Sequence, residues 1–379
     1  MEILFFSSLL ALLYVYAGYP LLIYCLALWK KRPVQYGDYE PSVTILIAAY
    51  NEERWIDATI QNKLSLDYPS RKREIIVISD GSTDETDTIV KRYEGQGISL
   101  VRQEPRAGKT AALNSAVDKA QGEILVFADA NSLYERDALR KLMRNFTDPS
   151  VGYVTGKMLY TNEEGTLVGD GCSAYMKYEN LLRFHETRVH SVVGVDGGVD
   201  AVRKNLYRSM RPDQLPDFVL PLRVVVQGYR VVYEPEAILR EAALKAGTDE
   251  YRMRVRVSLR ALWALWDLRR LLNVFKYGVF SWQLFSHKVL RYLSILFLIG
   301  MLLSSAFLSR ISPFYTAALT CQAVFYAMAL TSVLAQKLSR EAKLLYVPYY
   351  FTLINVAAGH SLLKFLLGKK QVIWTPRKG

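Results

Sequence analysis

The sequence predicts an α/β fold: a polar middle built on a Rossmann-like, mostly parallel sheet, held between N- and C-terminal transmembrane helices. Three observations carry that expectation. Long uncharged runs lie toward the two ends, short β-branched runs alternate with helical stretches between them, and acidic or amide residues stand just after several of those short runs.

Residues 3–29 contain no charge. A bilayer core of about 30 Å needs roughly 20 apolar helical residues, so this run can span it despite Gly18 and Pro20. The expectation is a retained anchor over residues 1–32. Met1 and Glu2 supply no basic n-region, the run is too long for a leader, and no small-residue cleavage site follows. Three more uncharged runs, 292–309, 311–336 and 344–363, predict C-terminal transmembrane helices over 291–368, followed by a basic tail over 369–379.

Lys30, Lys31 and Arg32 follow the first run, and basic residues at span ends favour the cytoplasm. The middle is therefore expected in the cytoplasm. Three later spans would then carry Lys369, Lys370, Arg377 and Lys378 outside, against the same preference. Either one C-terminal run is re-entrant or interfacial, with the segment holding Pro348 and Gly359 favoured, or the charge preference fails here.

The 379 residues suit one domain plus something smaller, and 51% hydrophobic content excludes a disordered or fibrous chain. Of three cysteines, Cys25 and Cys321 fall in apolar runs and Cys172 in the polar middle, which excludes a disulfide framework or a cysteine zinc site. A net charge of +12 points to nucleic acid, an anionic membrane surface or an anionic substrate. Between Arg252 and Arg291 nine basic residues face one acid, Asp267, and are interleaved with Trp263, Trp266, Trp282 and Tyr292. Beside a span, that pattern predicts basic interfacial amphipathic helices over 246–290, in contact with membrane lipids and no nucleic acid. A solvated basic helix face stays open as the plainer alternative.

The runs 43–49 (VTILIAA), 75–79 (IIVIS), 98–101 and 124–127 (ILVF) are nearly continuous in apolar residues. Such strands are buried on both faces, as in a parallel sheet. Helical stretches lie between them at 52–64, at 84–93 behind a Ser82 to Glu85 capping-box spacing, and at 110–120. The alternation implies right-handed βαβ units, whose ligands sit beyond the carboxyl ends of the strands.

Past those ends stand Tyr50, Asn51 and Glu52, then Asp80, Gly81 and Ser82, then Asp129, Ala130 and Asn131. No GxGxxG follows the first strand, so the dinucleotide fingerprint is absent. Two acids emerging at one edge can bind a divalent cation through hard oxygens, and through it a diphosphate. Asp84 is expected to be a turn or cap residue; Asp129, with no capping pattern, is expected to be functional. Gly108, Lys109 and Thr110 imitate the end of a P-loop, but Gln103 stands where its first glycine is required, which excludes a nucleoside triphosphatase. Lys109 at a helix start is either an anion contact or a plain surface lysine. His185 and His190 are expected to be solvated or interfacial and not metal ligands. No Ser/His/Asp or Cys/His constellation, internal repeat or heptad run is present.

The ordered series AAYNEE (48–53), ISDGSTDET (78–86), GKTAALN (108–114), FADAN (127–131), VDGGVDAVRK (195–204) and PDFVLPLRVVVQGYRVVYEPEA (216–237) resembles the membrane-bound family 2 glycosyltransferases. That group contains the cellulose, hyaluronan and poly-N-acetylglucosamine synthases and single-transfer enzymes acting on lipids. The resemblance covers roughly residues 40–290. It implies a GT-A domain over 40–245 on the cytoplasmic side of the inner (plasma) membrane in a multi-pass protein. It also implies a UDP- or GDP-sugar donor, Mg2+ or Mn2+, and inverting transfer of a hexose to a lipid or glycan acceptor.

Position by position, the resemblance assigns Tyr50, Glu52 and Asp80 to the donor's base and ribose, and Lys109 to its diphosphate. Asp129 matches the first acid of the metal-binding Asp-x-Asp, with Asn131 where the second acid is usual; an amide oxygen still suits a hard cation. Gly197 and Gly198 match the loop lining the acceptor pocket, where a missing side chain admits the sugar. Asp217 matches the general base, preceded by Pro216 where an acid is usual. An acceptor hydroxyl attacking an anomeric carbon must lose its proton, and a carboxylate within about 3 Å can take it. The plainer reading of Asp217, a helix cap after Pro216, stays open.

Where polymer-forming members carry Q-x-x-R-W, residues 251–257 read YRMRVRV and tryptophan waits until Trp263. Arg252 and Arg256 can still grip a diphosphate bidentately. The displaced tryptophan weighs against a processive polysaccharide synthase, which remains one alternative. A catalytically idle, nucleotide-sugar-binding membrane scaffold is the other, kept open by Asn131 and Pro216.

Overall fold

The computed structural model describes residues 1–161, 167–242, 246–337 and 345–372. Arg377 and Lys378 of the basic tail, and Leu344 at the start of the last apolar run, lie outside the described residues. Helix α1 (Glu2–Trp29) contains one π-helical turn, Tyr14–Gly18. Its Ile3, Leu10 and Leu21 are exposed.

The domain then alternates β1 (Val43–Ala49), α2 (Ile56–Leu64), β2 (Arg73–Asp80), α3 (Thr86–Lys91), β3 (Ile98–Gln103), α4 (Lys109–Val117) and β4 (Ile124–Asp129). It continues through β5 (Leu133–Tyr134), α5 (Ala138–Met143), β6 (Val151–Thr161), α6 (Leu167–Val189), β7 (Asp200–Arg203), α7 (Pro216–Val226) and β8 (Arg230–Ala242). One eight-stranded sheet results, in the order β3-β2-β1-β4-β7-β6-β8-β5. Strands β1 to β4 pair in parallel, β7 runs antiparallel between β4 and β6, and β8 is parallel to β6.

Every residue of β1 is buried, because helices cover both faces of the sheet. On one face Leu46 and Ala48 pack with Leu113 and Ala116 of α4 and Val219 of α7. On the other Ile45 and Ile47 pack with Ile56 and Ile60 of α2 and Leu139 of α5. This two-sided burial is the physical reason the four strands are readable as continuous apolar runs.

Two helices start later than expected. Residues 52–55 precede α2 as a turn: Asn51 has φ +54, Glu52 N–H donates to Thr86 Oγ1 at 2.9 Å and Glu53 N–H to Asp84 Oδ2 at 3.1 Å. The start of α3 is held by Asp84, whose Oδ1 accepts from Thr86 N–H at 3.1 Å, and the Ser82–Glu85 spacing is not used as a capping box. Asp84 is thus a turn residue just ahead of the helix, whose N-cap position is Glu85.

Beyond the sheet, α8 (Gly247–Asp267) is followed by α9 (Val279–Tyr292) and α10 (Ser294–Leu308), bent by 54° at their junction, then α11 (Pro313–Lys337) and α12 (Tyr346–Leu366). Among the described residues, Glu2–Trp29 and Pro313–Val333 are long and apolar enough to cross a membrane, and the α9–α10 pair becomes a third if it is one span. Helix α12 lies along α8: Ser361 Oγ donates to Val255 O at 2.9 Å and Tyr350 OH to Glu250 Oε1 at 2.7 Å. Past α12 the chain returns to the domain, where Lys370 Nζ meets Asp213 Oδ2 at 2.8 Å and Trp263 Nε1 donates to Lys369 O.

The nine basic residues of 252–291 divide by surroundings. Arg254, Arg256 and Arg260 turn inward, and Lys288 and Arg291 converge on buried Glu179. Arg252, Arg269, Arg270 and Lys276 are exposed. His185 is buried and not solvated; its ring meets Tyr24 of α1 edge-on at 5.1 Å, making it a packing contact between α6 and α1. Among the described residues no group of three or more His, Cys, Asp or Glu could hold a metal.

Gly122 sits where β4 enters against β1. Its N–H donates to Thr44 Oγ1 at 2.8 Å, and a Cβ there would lie 2.5 Å from the Val43 carbonyl carbon. Gly122→Ala is expected to destabilise the protein by about 1–3 kcal/mol, read as a lowered thermal midpoint in detergent; an unchanged midpoint would show that the two strands do not approach this closely.

Candidate active site

The carboxyl ends of β1, β2 and β4 meet at one edge of the sheet, and a cavity of about 310 Å³ opens there. Glu52, Lys109, Asp129, Asn131, Asp217 and Arg256 all line it. Tyr50, Asp80 and Arg252 do not.

The two loops beside the cavity are zipped together. Asn51 Oδ1 accepts from Thr83 N–H at 2.8 Å and its own N–H donates to Ser82 Oγ at 3.2 Å. The left-handed Asn51 backbone makes this possible, a conformation that asparagine tolerates better than most residues. Asp80 is fully buried and accepts from Gln103 Nε2, Ala107 N–H and Gly108 N–H at 2.7, 2.8 and 2.9 Å. It therefore shapes the turn into α4. Over that turn the Arg106 guanidinium stacks on the Tyr50 ring, 3.4 Å from its centroid.

At the floor of the cleft three charges from three elements converge. Lys109 Nζ, opening α4, lies 2.7 Å from Asp129 Oδ1 at the end of β4 and 3.7 Å from Asp217 Oδ1 in the first turn of α7. Burial alone would lower the Lys109 pKa, but the two carboxylates outweigh it and hold the ammonium charged. Burial raises the Asp217 pKa, Asp129 adds to the rise, and Lys109 and Arg260 oppose it. Asp217 keeps a side-chain exposure of 26%, so water and a substrate hydroxyl can reach it.

From α8, Arg256 faces this cluster. Burial lowers its pKa while Asp129 and Asp217 oppose the shift, and it makes no hydrogen bond or ion pair within the described residues. Arg260, one turn on, is anchored on Thr110 Oγ1 and the carbonyls of Pro212 and Gln214. Arg252, one turn earlier, lies outside the cleft: its side chain is 80% exposed and pairs with Asp249 at 3.8 Å. Arg252 stands away from the cavity because its side chain is turned to solvent, while Met253 and Arg254 of the same turn do line it.

The two loop glycines part company. Gly197 has φ +86 and lies directly against Asp217, where a Cβ would come within 2.5 Å of Oδ2. At Gly198 a Cβ would instead meet Leu239 at 2.7 Å, and its carbonyl accepts from Tyr134 OH at 2.7 Å. Gly198 is thus a packing glycine facing the sheet.

Several contributors carry no mark in the sequence. Thr59 Oγ1 donates to Ala130 O and Lys63 Nζ to Ser132 O, both at 2.6 Å, so α2 clamps the loop holding Asp129 and Asn131. Lys63 is fully buried, with its ammonium over the Tyr134 ring; burial lowers its pKa and Asp129 opposes. From β8, Glu241 Oε1 stands 3.5 Å from Asn131 Nδ2. Arg183 pairs with Asp196 at 2.6 Å in the wall beside Gly197. A lysine between apolar residues at 3.6 periodicity is the only available signal for Lys63, and nothing local marks Glu241 or Arg183.

Residues 44–204 match the sequence model of glycosyl transferase family 2. The poly-beta-1,6-N-acetyl-D-glucosamine synthase of Staphylococcus aureus (strain COL) is 29% identical over 215 residues, 55% of this chain and 52% of its own. The beta-monoglucosyldiacylglycerol synthase of Synechocystis sp. is 31% identical over 169 residues, 44% of this chain and 34% of its own. The chain thus spans about half or less of the length of these curated relatives. Among solved structures, the mannosyltransferase PcManGT from Pyrobaculum calidifontis, in complex with GDP-Man and Mn2+, superposes with a TM-score of 0.72 at 24% identity, covering 96% of this chain and 99% of that one. The likeness to that structure is one of fold, and the motif series lies largely inside the matched segment. Residues 44–204 are thus similar in sequence to glycosyl transferase family 2, and the fold is GT-A-like.

Proposed function

We propose that the protein transfers a hexose from a nucleotide-diphosphate sugar to a membrane-associated lipid or glycan acceptor, with inversion. The carrying observation is the convergence of Lys109, Asp129 and Asp217 at the strand ends, faced by Arg256. Asp217 takes the proton from the acceptor hydroxyl. Its raised proton affinity suits that task, since burial moves it toward the working pH while Lys109 keeps it ionisable. Lys109 and Arg256 neutralise the charge that grows on the departing nucleoside diphosphate. Glu52, beside Ala48 in the cleft wall, orients the nucleoside together with the neighbouring Tyr50 and Asp80 loops.

A divalent cation fits the donor set. Asp129 offers a carboxylate and Asn131 an amide oxygen, with Glu241 adjoining. No group of three His, Cys, Asp or Glu that could hold a metal exists among the described residues, so Mg2+ or Mn2+ would share diphosphate oxygens and water, as these hard ions often do. When bound, it supplies charge neutralisation at the leaving diphosphate. PcManGT, solved in complex with GDP-Man and Mn2+, supports a GDP-sugar and manganese.

Single transfer is favoured over processive synthesis by Trp263, which does not line the cleft. Its ring packs on Phe365 at 4.7 Å and its N–H is bonded to Lys369 O, so it offers no stacking platform to a growing chain.

The membrane reading is multi-pass with a cytoplasmic domain. Crossings by α1, by the bent α9–α10 pair and by α11 leave α12 lying on α8. That parity returns Lys370 to the side of Asp213, which it contacts, and removes the conflict with the positive-inside preference.

Asp217→Asn is expected to lower kcat by roughly 10² to 10⁴ with the donor KM little changed, measured as nucleoside diphosphate release from a panel of nucleotide sugars with lipid extract. A variant as active as the parent would remove Asp217 as the base, whereas a parent that binds nucleotide sugar but releases nothing from any donor would favour the idle-scaffold alternative. Removal of divalent cations by chelation should abolish release, with Mn2+ or Mg2+ restoring it; release that survives chelation would leave Asp129 without its proposed partner. For topology, single cysteines at Asp38 and Lys370, in a background without Cys25, Cys172 and Cys321, should react with an impermeant thiol reagent from the same face of sealed vesicles. Labelling from opposite faces would overturn the three-crossing arrangement.

A further inference from the structure

Asp200 opens β7 and is completely buried, paired across the sheet with Phe127 of β4 and Thr155 of β6. A carboxyl inside a sheet is costly unless its oxygens are occupied. Asp200 Oδ2 accepts from Tyr153 OH and from Gly197 N–H, both at 2.9 Å, while buried Oδ1 has no hydrogen-bond partner. The second of these bonds reaches the cleft, because the Gly197 backbone is the surface against which the Asp217 carboxyl lies.

Neighbouring anchors of the loop hold other residues. Tyr134 OH holds the Gly198 carbonyl, Gly156 N–H holds the Val199 carbonyl, and Arg183 holds the Asp196 carboxylate. The bond to Gly197 N–H itself comes from Asp200. With φ at +86, Gly197 sits in a conformation that asks for an anchor.

We propose that Asp200 is the positioning residue for Asp217: by fixing the Gly197 N–H it sets the wall that aims the Asp217 carboxylate at the acceptor hydroxyl. The proposal rests on the reading of Asp217 as the base.

The groups facing Asp200 are Tyr153 and Thr155 from β6, Tyr134 from β5, Asp196 from the loop, Asp217 from α7 and Lys109 from α4. Burial pushes the Asp200 carboxyl up to about 7; Asp217 and Asp196 add to the rise, and the hydrogen bond from Tyr153 opposes it. Ionising Asp200 above that pH places a second negative charge beside Asp217, which then holds its proton more tightly. It also costs stability: a carboxyl whose folded pKa lies above the usual 3.8 loses folded-state advantage as pH rises from that value through about 7.

The test uses the full chain in detergent, with nucleoside diphosphate release followed across neutral pH and thermal unfolding followed from pH 3.8 through about 7. Asp200→Asn keeps an oxygen for Gly197 N–H and Tyr153 OH but cannot ionise. It should retain most of kcat while losing both the inflection near neutrality and the fall in stability between the usual carboxylate value of 3.8 and about 7. Asp200→Val keeps the volume without an acceptor and should lose about tenfold or more in kcat with the donor KM within about twofold. A folded Asp200→Val protein with parental kcat overturns the proposal, as does a donor KM that rises in step with the loss. Should the valine variant fail to fold, the asparagine variant decides: persistence of the neutral inflection in it overturns the proposal. A parent chain that releases nucleotide from no donor overturns the catalytic reading and this proposal with it, whereas an active parent with an indifferent Asp200 overturns this proposal alone.

Discussion

Lys109 is the group on which the geometry of the cleft depends. Asp129 arrives from the end of β4 and Asp217 from the start of α7, and two carboxylates this close in a partly enclosed cleft repel each other. The ammonium of Lys109 sits between them, at 2.7 and 3.7 Å. Its own place is fixed by the turn at Gly108, which has φ +92 and donates its N–H to buried Asp80. Thus the acid at the end of β2 shapes the turn, the turn aims the lysine, and the lysine lets two further acids share one cavity. Charge, and not apolar packing, sets the spacing of these three groups; the apolar sheet beneath only fixes where the strands end.

The parallel half of the sheet was legible because burial on both faces leaves a compositional trace that needs no tertiary information, as in VTILIAA of β1. Strands β6 to β8 leave weaker traces. β7 is four residues long, and β8 carries Pro235, Arg240 and glutamates within an otherwise alternating run. The late start of α2 was illegible for a different reason. Its first turn is replaced by bonds from Glu52 and Glu53 to a loop more than thirty residues away, and no local propensity encodes such a bond.

Motif matching located the site residues along the chain but could not say how far along an axis, or on which face, each one acts. Arg252 and Arg256 are four apart and share a helical face, yet α8 brings only the second to the cleft. Gly197 and Gly198 are adjacent, and backbone geometry sends one against Asp217 and the other against Leu239. Lys63 and Asp200 were invisible because their roles are carried by hydrogen bonds to backbone groups distant in sequence or around a turn: Ser132 O for the lysine, Gly197 N–H for the acid.

The cleft does not stop at the strand ends. Its far wall includes Tyr16 of α1, Arg291 and Tyr292 of α9 and Asn355 of α12, so helices from both apolar ends of the chain complete the space that the domain begins. Buried Glu179 of α6 ties this wall together by meeting His287, Lys288 and Arg291 at once, and Tyr16 OH closes onto Asn355 Oδ1 at 3.1 Å. On the proposed reading, the two substrates then reach Asp217 from opposite directions: a water-soluble donor over the carboxyl edge of the sheet, and a membrane-borne acceptor from among the apolar helices. Asp217 sits at the meeting point, with Gly197 on its acceptor side and Lys109 on its donor side. A base in that position is best placed for a hydroxyl that the membrane-side wall has already oriented, which favours transfer to the acceptor over transfer to water.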